Sequence, residues 1–279
     1  MTVEIFYFSG TGNSLFIAKE LIKHFPDAKL TPIVKAINEN YYITKADTIG
    51  FVFPVHALTI PIIVKRFIKK INMEMVQYTF AVATRGGTSF HGFKKIEHIL
   101  KKKKRELNSR FIINMALNDS RSIHFSIPKE DIPKYDDIVK VENIAQNVIA
   151  RARIDEPDNL ITIKSANSKL ATIIIEGIVL FGMNLADKTQ GVDYFYHNEN
   201  CTKCGICEKV CLSGKIKQNT GSPEWKMGTF CYMCYACINY CPSQSIQIHD
   251  IPGVKSYTNV NGRYHHPQAK ISDIEAQKA

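Results

Sequence analysis

All eight cysteines of the 279-residue chain fall between Cys201 and Cys241. They form two runs of one spacing, Cys201-x-x-Cys204-x-x-Cys207-x-x-x-Cys211 and, thirty residues later, Cys231-x-x-Cys234-x-x-Cys237-x-x-x-Cys241-Pro242. Three thiols at intervals of three can wrap one loop around a corner-rich metal cluster, the fourth coming from a different element. Structural zinc sites instead pair two Cys-x-x-Cys units around one ion and need no third cysteine at that short spacing. The Cys-x-x-x-Cys-x-x-Cys run of radical S-adenosylmethionine chemistry is absent. Residues 1–8 carry neither a basic start nor a cleavage site, so a reducing cytoplasm is expected, where clustered cysteines mean metal rather than disulfides. Cys211-Leu-Ser-Gly-Lys-Ile216 matches Cys241-Pro-Ser-Gln-Ser-Ile246, which predicts two copies of one half-unit packed with pseudo-twofold symmetry.

A second constellation opens the chain. Directly after a first apolar run comes Ser9-Gly10-Thr11-Gly12-Asn13-Ser14, and a helical pattern begins at Ser14. Glycines let the backbone turn tightly and point several N–H groups inward, and the helix N-terminus adds its positive end. With side-chain donors from Ser9, Thr11, Asn13 and Ser14, such a loop can hold a phosphate dianion without lysine or arginine. It lacks the Gly-Lys-Ser/Thr ending of a nucleotide-hydrolysing loop and does not match Gly-x-Gly-x-x-Gly, which disfavours an ATPase and a plain dinucleotide-binding enzyme.

The elements that must position these groups follow from hydrophobic patterning. Strand-like runs at Val3–Phe8, Leu30–Val34, Thr48–Phe53, Thr79–Thr84 and Arg110–Met115 alternate with helix-like stretches at Ser14–His24, Pro61–Ile71, His91–Glu106 and Tyr135–Ala150. Continuous apolar strands between amphipathic helices predict a doubly wound parallel α/β sheet of five strands in the order 2-1-3-4-5. Ligands of such sheets bind outside the carboxyl ends of the strands, so the loops after strands one, three and four are the expected site. Leu117–Lys134, polar around Asn118-Asp119-Ser120, is either a functional lid or a plain insertion. The charged, proline-containing stretch Ile154–Asp158 is the expected boundary. It divides residues 1–153, 154–193 (a linker with an apolar helix), 194–250 (the cysteine module) and a polar tail, 251–279, whose last ten residues read as loosely ordered.

The apolar run Leu170–Ala186 is short for a membrane span and has Glu176 at its middle, so a helix buried between domains is expected, with contact to a membrane surface the alternative. The formal charge of +10 would suit nucleic acid. Two metal clusters and one bound phosphate, each about −2, would bring the loaded protein to about +4, and the Lys101–Arg105 run is the solvated end of a helix. No nucleic-acid partner is expected; a basic surface suits an acidic redox protein.

The first loop resembles that of the flavodoxin family, which grips the FMN phosphate with a hydroxyl-rich Ser/Thr-x-Thr-Gly-Asn-Ser/Thr pattern. Over residues 1–150 the resemblance implies FMN held by Ser9–Ser14 and by two further loops, Pro54-Val55-His56-Ala57 after strand three and Thr84-Arg85-Gly86-Gly87 to Phe90 after strand four. His56 and Phe90 are the aromatic candidates for the flavin ring, and Gly86-Gly87 would let backbone approach it. The cysteine runs resemble bacterial-type two-cluster ferredoxins, in which the fourth cysteine serves the other cluster. That implies one [4Fe–4S] cluster on Cys201, Cys204, Cys207 and Cys241, and a second on Cys231, Cys234, Cys237 and Cys211, in a smaller α+β ferredoxin-like domain. Leu212 stands where that family normally has proline. The whole chain resembles the fused flavodoxin–ferredoxin proteins of anaerobes, the EFR1-family ferredoxins, as far as Arg263-Tyr264-His265-His266-Pro267. The resemblance implies electron transfer among FMN, two clusters and a redox partner such as an acidic ferredoxin or flavodoxin. The alternatives are an FMN-dependent reductase of a quinone or nitro compound and a redox sensor.

Overall fold

The structure, a computed structural model, describes residues 1–121, 138–156, 174, 176–182, 185, 195–219, 221–250 and 255–279. A six-stranded parallel sheet in the order 2-1-3-4-5-6 is built from β1 (Val3–Tyr7), β2 (Lys29–Pro32), β3 (Thr48–Pro54), β4 (Tyr78–Arg85), β5 (Ser109–Asn114) and β6 (Ile154–Asp155). The expected order of five strands is present, with β6 added at the edge. Every residue of β1 is buried, as an apolar run between two helical layers requires. The crossovers run through α1 (Asn13–Ile22), α2 (Ile33–Asn38), α3 (Ile62–Lys70), α4 (Gly92–Lys102) and α5 (Ile138–Ile149). In α3, Ile63, Val64, Phe67 and Ile68 turn inward while Lys69 and Lys70 face water. Burying a side chain such as Phe67 stabilises the fold by about 1.5–3 kcal/mol.

Several boundaries differ from the sequence pattern for local reasons. Pro32 lacks an N–H, so β2 stops there and Ile33–Val34, expected as strand, open α2 instead. Ile154 and Asp155, expected in the linker, pair with Ser109 and Arg110. Arg110 forms ion pairs with Asp155 and Glu97, and the Ile112 N–H donates to the Glu156 carboxylate. In the apolar run, residues 176–182 are helical, yet Ile178 and Phe181 are exposed rather than buried. There the Glu176 carboxylate accepts from the Ser89 hydroxyl and meets the His91 ring at 2.9 Å. Residues 135–137 and most of Leu117–Lys134 lie outside the described residues. Among those described, no helix is long and apolar enough to cross a membrane.

The cysteine segment contains two antiparallel pairs and two short helices. β7 (Phe195–His197) pairs with β10 (Ile246–Ile248), and β8 (Ile216–Asn219) with β9 (Ser222–Trp225). α6 (Ile206–Val210) and α7 (Ala236–Asn239) each begin one residue before the third cysteine of a run. Val210, Leu212, Ala236 and Tyr240 belong to the same apolar core as the sheet, so the cysteine segment is packed onto it.

The last ten residues are ordered, contrary to their polar appearance. They form α8 (Ile271–Glu275), with Ile274 and Gln277 fully buried. The Gln277 carboxamide accepts from the Ser9 N–H and donates to the Ser9 carbonyl, clamping the tail to the phosphate loop.

Candidate functional site

At the carboxyl ends of β1, β3, β4 and β5 the three expected loops converge on one cavity of about 110 Å³. Its walls are Ser9, Gly10, Thr11, Asn13 and Ser14; Pro54, Val55 and Ala57; Thr84, Arg85, Gly86 and Thr88; and Ala116–Asp119. The Ala116–Asp119 wall was not among the expected site residues. Its signal was the polar loop after a carboxyl-end strand.

The phosphate loop is braced from within. The Gly12 N–H donates to the Ser9 hydroxyl, and the Ser14 and Thr84 hydroxyls share a hydrogen bond of 2.8 Å. Asn13 donates to the Ala116 carbonyl and accepts from the Tyr264 hydroxyl, so its side chain positions neighbouring loops rather than pointing into the cavity as a free donor. The Thr11 hydroxyl accepts from Asn118 and keeps its own proton to donate. Gly12 has φ +99°, and a Cβ there would lie 2.3 Å from that of Ala269. It turns the chain and admits the tail rather than lining the cavity.

The aromatic candidates are placed differently from expectation. Phe90 is buried in the core, its ring 4.7 Å from that of Phe93 and 6.0 Å from that of Phe53. The absent side chain of Gly92 makes the room, since a Cβ there would meet the Phe90 ring at 2.3 Å. Filling that gap with an apolar ring outweighs holding it over a polar cavity, so Phe90 is withdrawn as a ring-stacking residue. His56 is half-buried, edge-on to Phe8 with ring centroids 5.9 Å apart, and is not a cavity wall. Burial pushes its pKa down to about 4, so the ring is neutral. It ends β3 in a two-residue turn closed with Thr59, in which Ala57 and Leu58 both have positive φ. Gly86 is in the wall, tight against Leu117, and Gly87 has φ +111°.

None of the eight cysteines is in a disulfide. Among the described residues no three His, Cys, Asp or Glu side chains close on one point as a single metal ion requires. The thiols nevertheless sort into two sets. Cys201, Cys204, Cys207 and Cys241 line one small cavity, joined by Pro242 and Ile206. Burial pushes the Cys207 thiol up to about 11, and the thiols it interacts with are Cys241, Cys204 and Cys201. Burial likewise pushes Cys234 up to about 12, its thiol neighbours being Cys231 and Cys211. Cys237 is raised well above the ordinary thiol range by burial, then by Cys211, Cys234 and Cys231 of its own set and last by Cys207 of the other. Burial also acts to raise Cys241, but hydrogen bonds from Ser245, Ser243 and the main chain outweigh it and lower the thiol.

The backbone around each set is a cradle. Lys203 and Gly205 in the first run, and Met233 and Tyr235 in the second, are left-handed, a geometry that turns successive N–H groups toward an anion. The Ile216, Met233 and Ser245 N–H groups donate to the sulfurs of Cys211, Cys231 and Cys241 at 3.2–3.4 Å. Desolvated thiols with amide donors aimed at sulfur suit a group that arrives with its own positive metal charge and displaces the protons.

Cradle and phosphate loop touch. A Cβ on Gly10 would lie 2.2 Å from the Cys234 carbonyl oxygen and 2.8 Å from its Cβ. Tyr232, between two cysteines, meets the Phe8 ring at the end of β1 edge-on at 6.3 Å. The tail spans both: Tyr264 donates its N–H to Asn239 in α7 and its hydroxyl to Asn13, and His266 stacks on Phe16 at 4.3 Å while its N–H donates to the Thr11 carbonyl. Sequence spacing gave no signal for these tail contacts.

No protein-family model and no curated protein matches the chain. Among solved structures, a short-chain flavodoxin associated with a bacterial microcompartment is similar at 13% identity, covering 55% of this chain and 99% of its own, with TM-score 0.39. The two-electron reduced flavodoxin of Megasphaera elsdenii gives 17% identity, 42% and 88% coverage and TM-score 0.33. The rubredoxin oxygen:oxidoreductase of the anaerobe Desulfovibrio gigas gives 17% identity over 53% of this chain, with TM-score 0.38. The chain spans only 35% of that oxidoreductase's length. The strand order with helical crossovers is itself the flavodoxin-like arrangement, and similarity at these levels is one of fold alone.

Proposed function

We propose that the chain is an electron-transfer protein in which FMN occupies the cavity above the sheet and two [4Fe–4S] clusters occupy the cysteine sets. The observation that carries this is the seating of Cys234 directly on Gly10, which sets a thiol-lined cradle against a phosphate-binding loop. When bound, clusters pass electrons singly and FMN takes one or two, so the pair joins one-electron carriers to two-electron chemistry. Ser9–Ser14 would hold the phosphate by backbone N–H groups and the Thr11 hydroxyl, with Asn13 and Asn118 keeping the loop in shape. Thr84, Arg85 and Gly86 continue the wall beside Pro54 and Val55, Thr84 pairing with Pro54 and its carbonyl accepting from the Val55 N–H at 2.8 Å. Cys201, Cys204, Cys207 and Cys241 hold one cluster; Cys231, Cys234, Cys237 and Cys211 hold the second, next to the flavin site. Residues 1–156, which take in β6, and 194–250 would then form the flavin and cluster parts of a cytoplasmic protein, in keeping with the EFR1-family resemblance.

An acidic redox partner fits the surface chemistry. Lys65 and Lys69 of α3 face Lys95, Lys102 and Lys103 across one groove. On the same helix, the Arg66 guanidinium lies 4.2 Å over the Phe230 ring, one residue from Cys231.

Anaerobic purification should yield a brown protein with about eight irons and one FMN per chain. Colourless protein, or protein holding only zinc, overturns the proposal. Thr11→Val with Asn13→Ala should weaken FMN by about 1–3 kcal/mol, roughly 5- to 150-fold in Kd, with iron content intact. Unchanged affinity in a flavin titration removes the phosphate-loop assignment, whereas steady turnover of a quinone would recast the protein as a reductase.

A further inference from the structure

Arg263 lies in the tail after β10 and reaches back toward the first cysteine set. Its Nη2 donates to the carbonyl oxygens of Ile246 at 3.1 Å and Gln244 at 3.4 Å. Its Nε and Nη1 are buried and have no hydrogen-bond acceptor. A buried donor left without an acceptor costs about 1–3 kcal/mol, and more when it belongs to a charged group. A guanidinium cannot relieve that cost by losing its proton. The position is not slack. Tyr264, the next residue, is tied to Asn239 and Asn13, and the His265 ring stacks on Tyr240 at 4.3 Å. Two donor nitrogens of a fixed cation, carrying three N–H bonds, are therefore presented to whatever fills the neighbouring space. The thiols within its field are Cys241 first and Cys237 second, one from each set of four. Cys241, with Pro242, lines both the first thiol-lined cavity and the groove that Arg263 lines, and it is the thiol common to the two.

Given clusters on the cysteine sets, as proposed above, we propose that Arg263 is the hydrogen-bond donor and fixed counter-charge to the cluster that Cys241 holds. Reduction makes a cluster more negative, so a buried cation with two free donor nitrogens stabilises the reduced form and raises the potential. The cluster on Cys241 responds most, and the one on Cys237 less. Arg263 is thus a positioning and tuning residue, not a ligand.

The test is an EPR-monitored redox titration of the anaerobically purified full-length protein beside Arg263→Met and Arg263→Lys. Arg263→Met should keep its iron and shift one cluster about tenfold toward the oxidised form, ~59 mV more negative for a one-electron couple. Arg263→Lys, which keeps the charge without the fork, should fall between that variant and the parent. If Arg263→Met instead sheds one cluster while Arg263→Lys retains it, the counter-charge role is equally supported. Arg263→Met with full iron and both potentials unchanged overturns the inference, as does equal shift or equal iron loss in the two variants. Absence of iron from the parent protein would remove the cluster assignment itself, a separate failure.

Discussion

Thirty residues apart, the two cysteine runs carry the same backbone into different surroundings. Lys203 and Met233, Gly205 and Tyr235, and Gly214 and Gln244 are all left-handed, with φ between 52° and 76°. In each copy the N–H three residues after the fourth cysteine donates to that cysteine's carbonyl at 3.1 Å. In each the serine two residues on, Ser213 or Ser243, lies 3.7 Å from the sulfur. Yet Cys204 is exposed to solvent, whereas its counterpart Cys234 is walled by Gly10 and the end of β1. Local sequence builds the cradle; the partner it packs against sets its dielectric. If the proposed clusters and flavin are bound, two sites of one design would thereby hold different potentials, the outer one nearer solvent and the inner one nearer the Ser9–Ser14 loop.

The largest effect should come from exchanging the fourth cysteines. Cys241→Ser should remove the cluster of the first run, and Cys211→Ser that of the second, each halving iron from about eight to about four per chain. Mössbauer or EPR spectra showing loss of the cluster in the same run would break the crossed pairing. Gly10→Val forces a side chain into the Cys234 backbone and should cost about 1–3 kcal/mol in denaturant unfolding. It should lower flavin occupancy and leave the outer cluster's spectrum alone; a spectrum changed only at the outer cluster would invert the assignment of inner and outer sites. Gly205→Ala places a Cβ at φ +76°, 2.5 Å from the Gln218 carboxamide oxygen, and should cost about 1–2 kcal/mol, whereas Tyr235→Ala should incur no new left-handed strain. Equal losses at the two positions would show that the backbone repeat has no energetic counterpart. Smallest is Tyr232→Leu, which loses its edge contact with Phe8, about 0.5–1.5 kcal/mol. Stopped-flow reduction should show slower cluster-to-flavin transfer, and an unchanged rate would take Tyr232 out of the route.

The strand order was legible because β1, β3 and β4 are buried on both faces and so read as near-continuous apolar runs, even with Glu4 within β1. The position of the Ser9–Ser14 turn at the cavity was legible because its glycines and hydroxyls follow one another directly after β1. The ring-stacking assignment failed at Phe90 because an aromatic in a loop has the same appearance whether it covers a ligand or fills the gap at Gly92. The tail misled in the opposite direction. Its polar composition hides Ile274 and Gln277, whose partners lie at the other end of the chain.

Sequence by itself determined what depends on neighbours along the chain: parallel α/β patterning, a phosphate-type loop, and a thiol repeat whose short spacing dictates its own turns. Tertiary structure alone decided that Gly10 abuts Cys234, that Gln277 reaches Ser9, and that Arg263 reaches the Ile246 and Gln244 carbonyls beside the groove it shares with Cys241. Those contacts join residues far apart in sequence. They are fixed by packing of a common core, which no local spacing encodes.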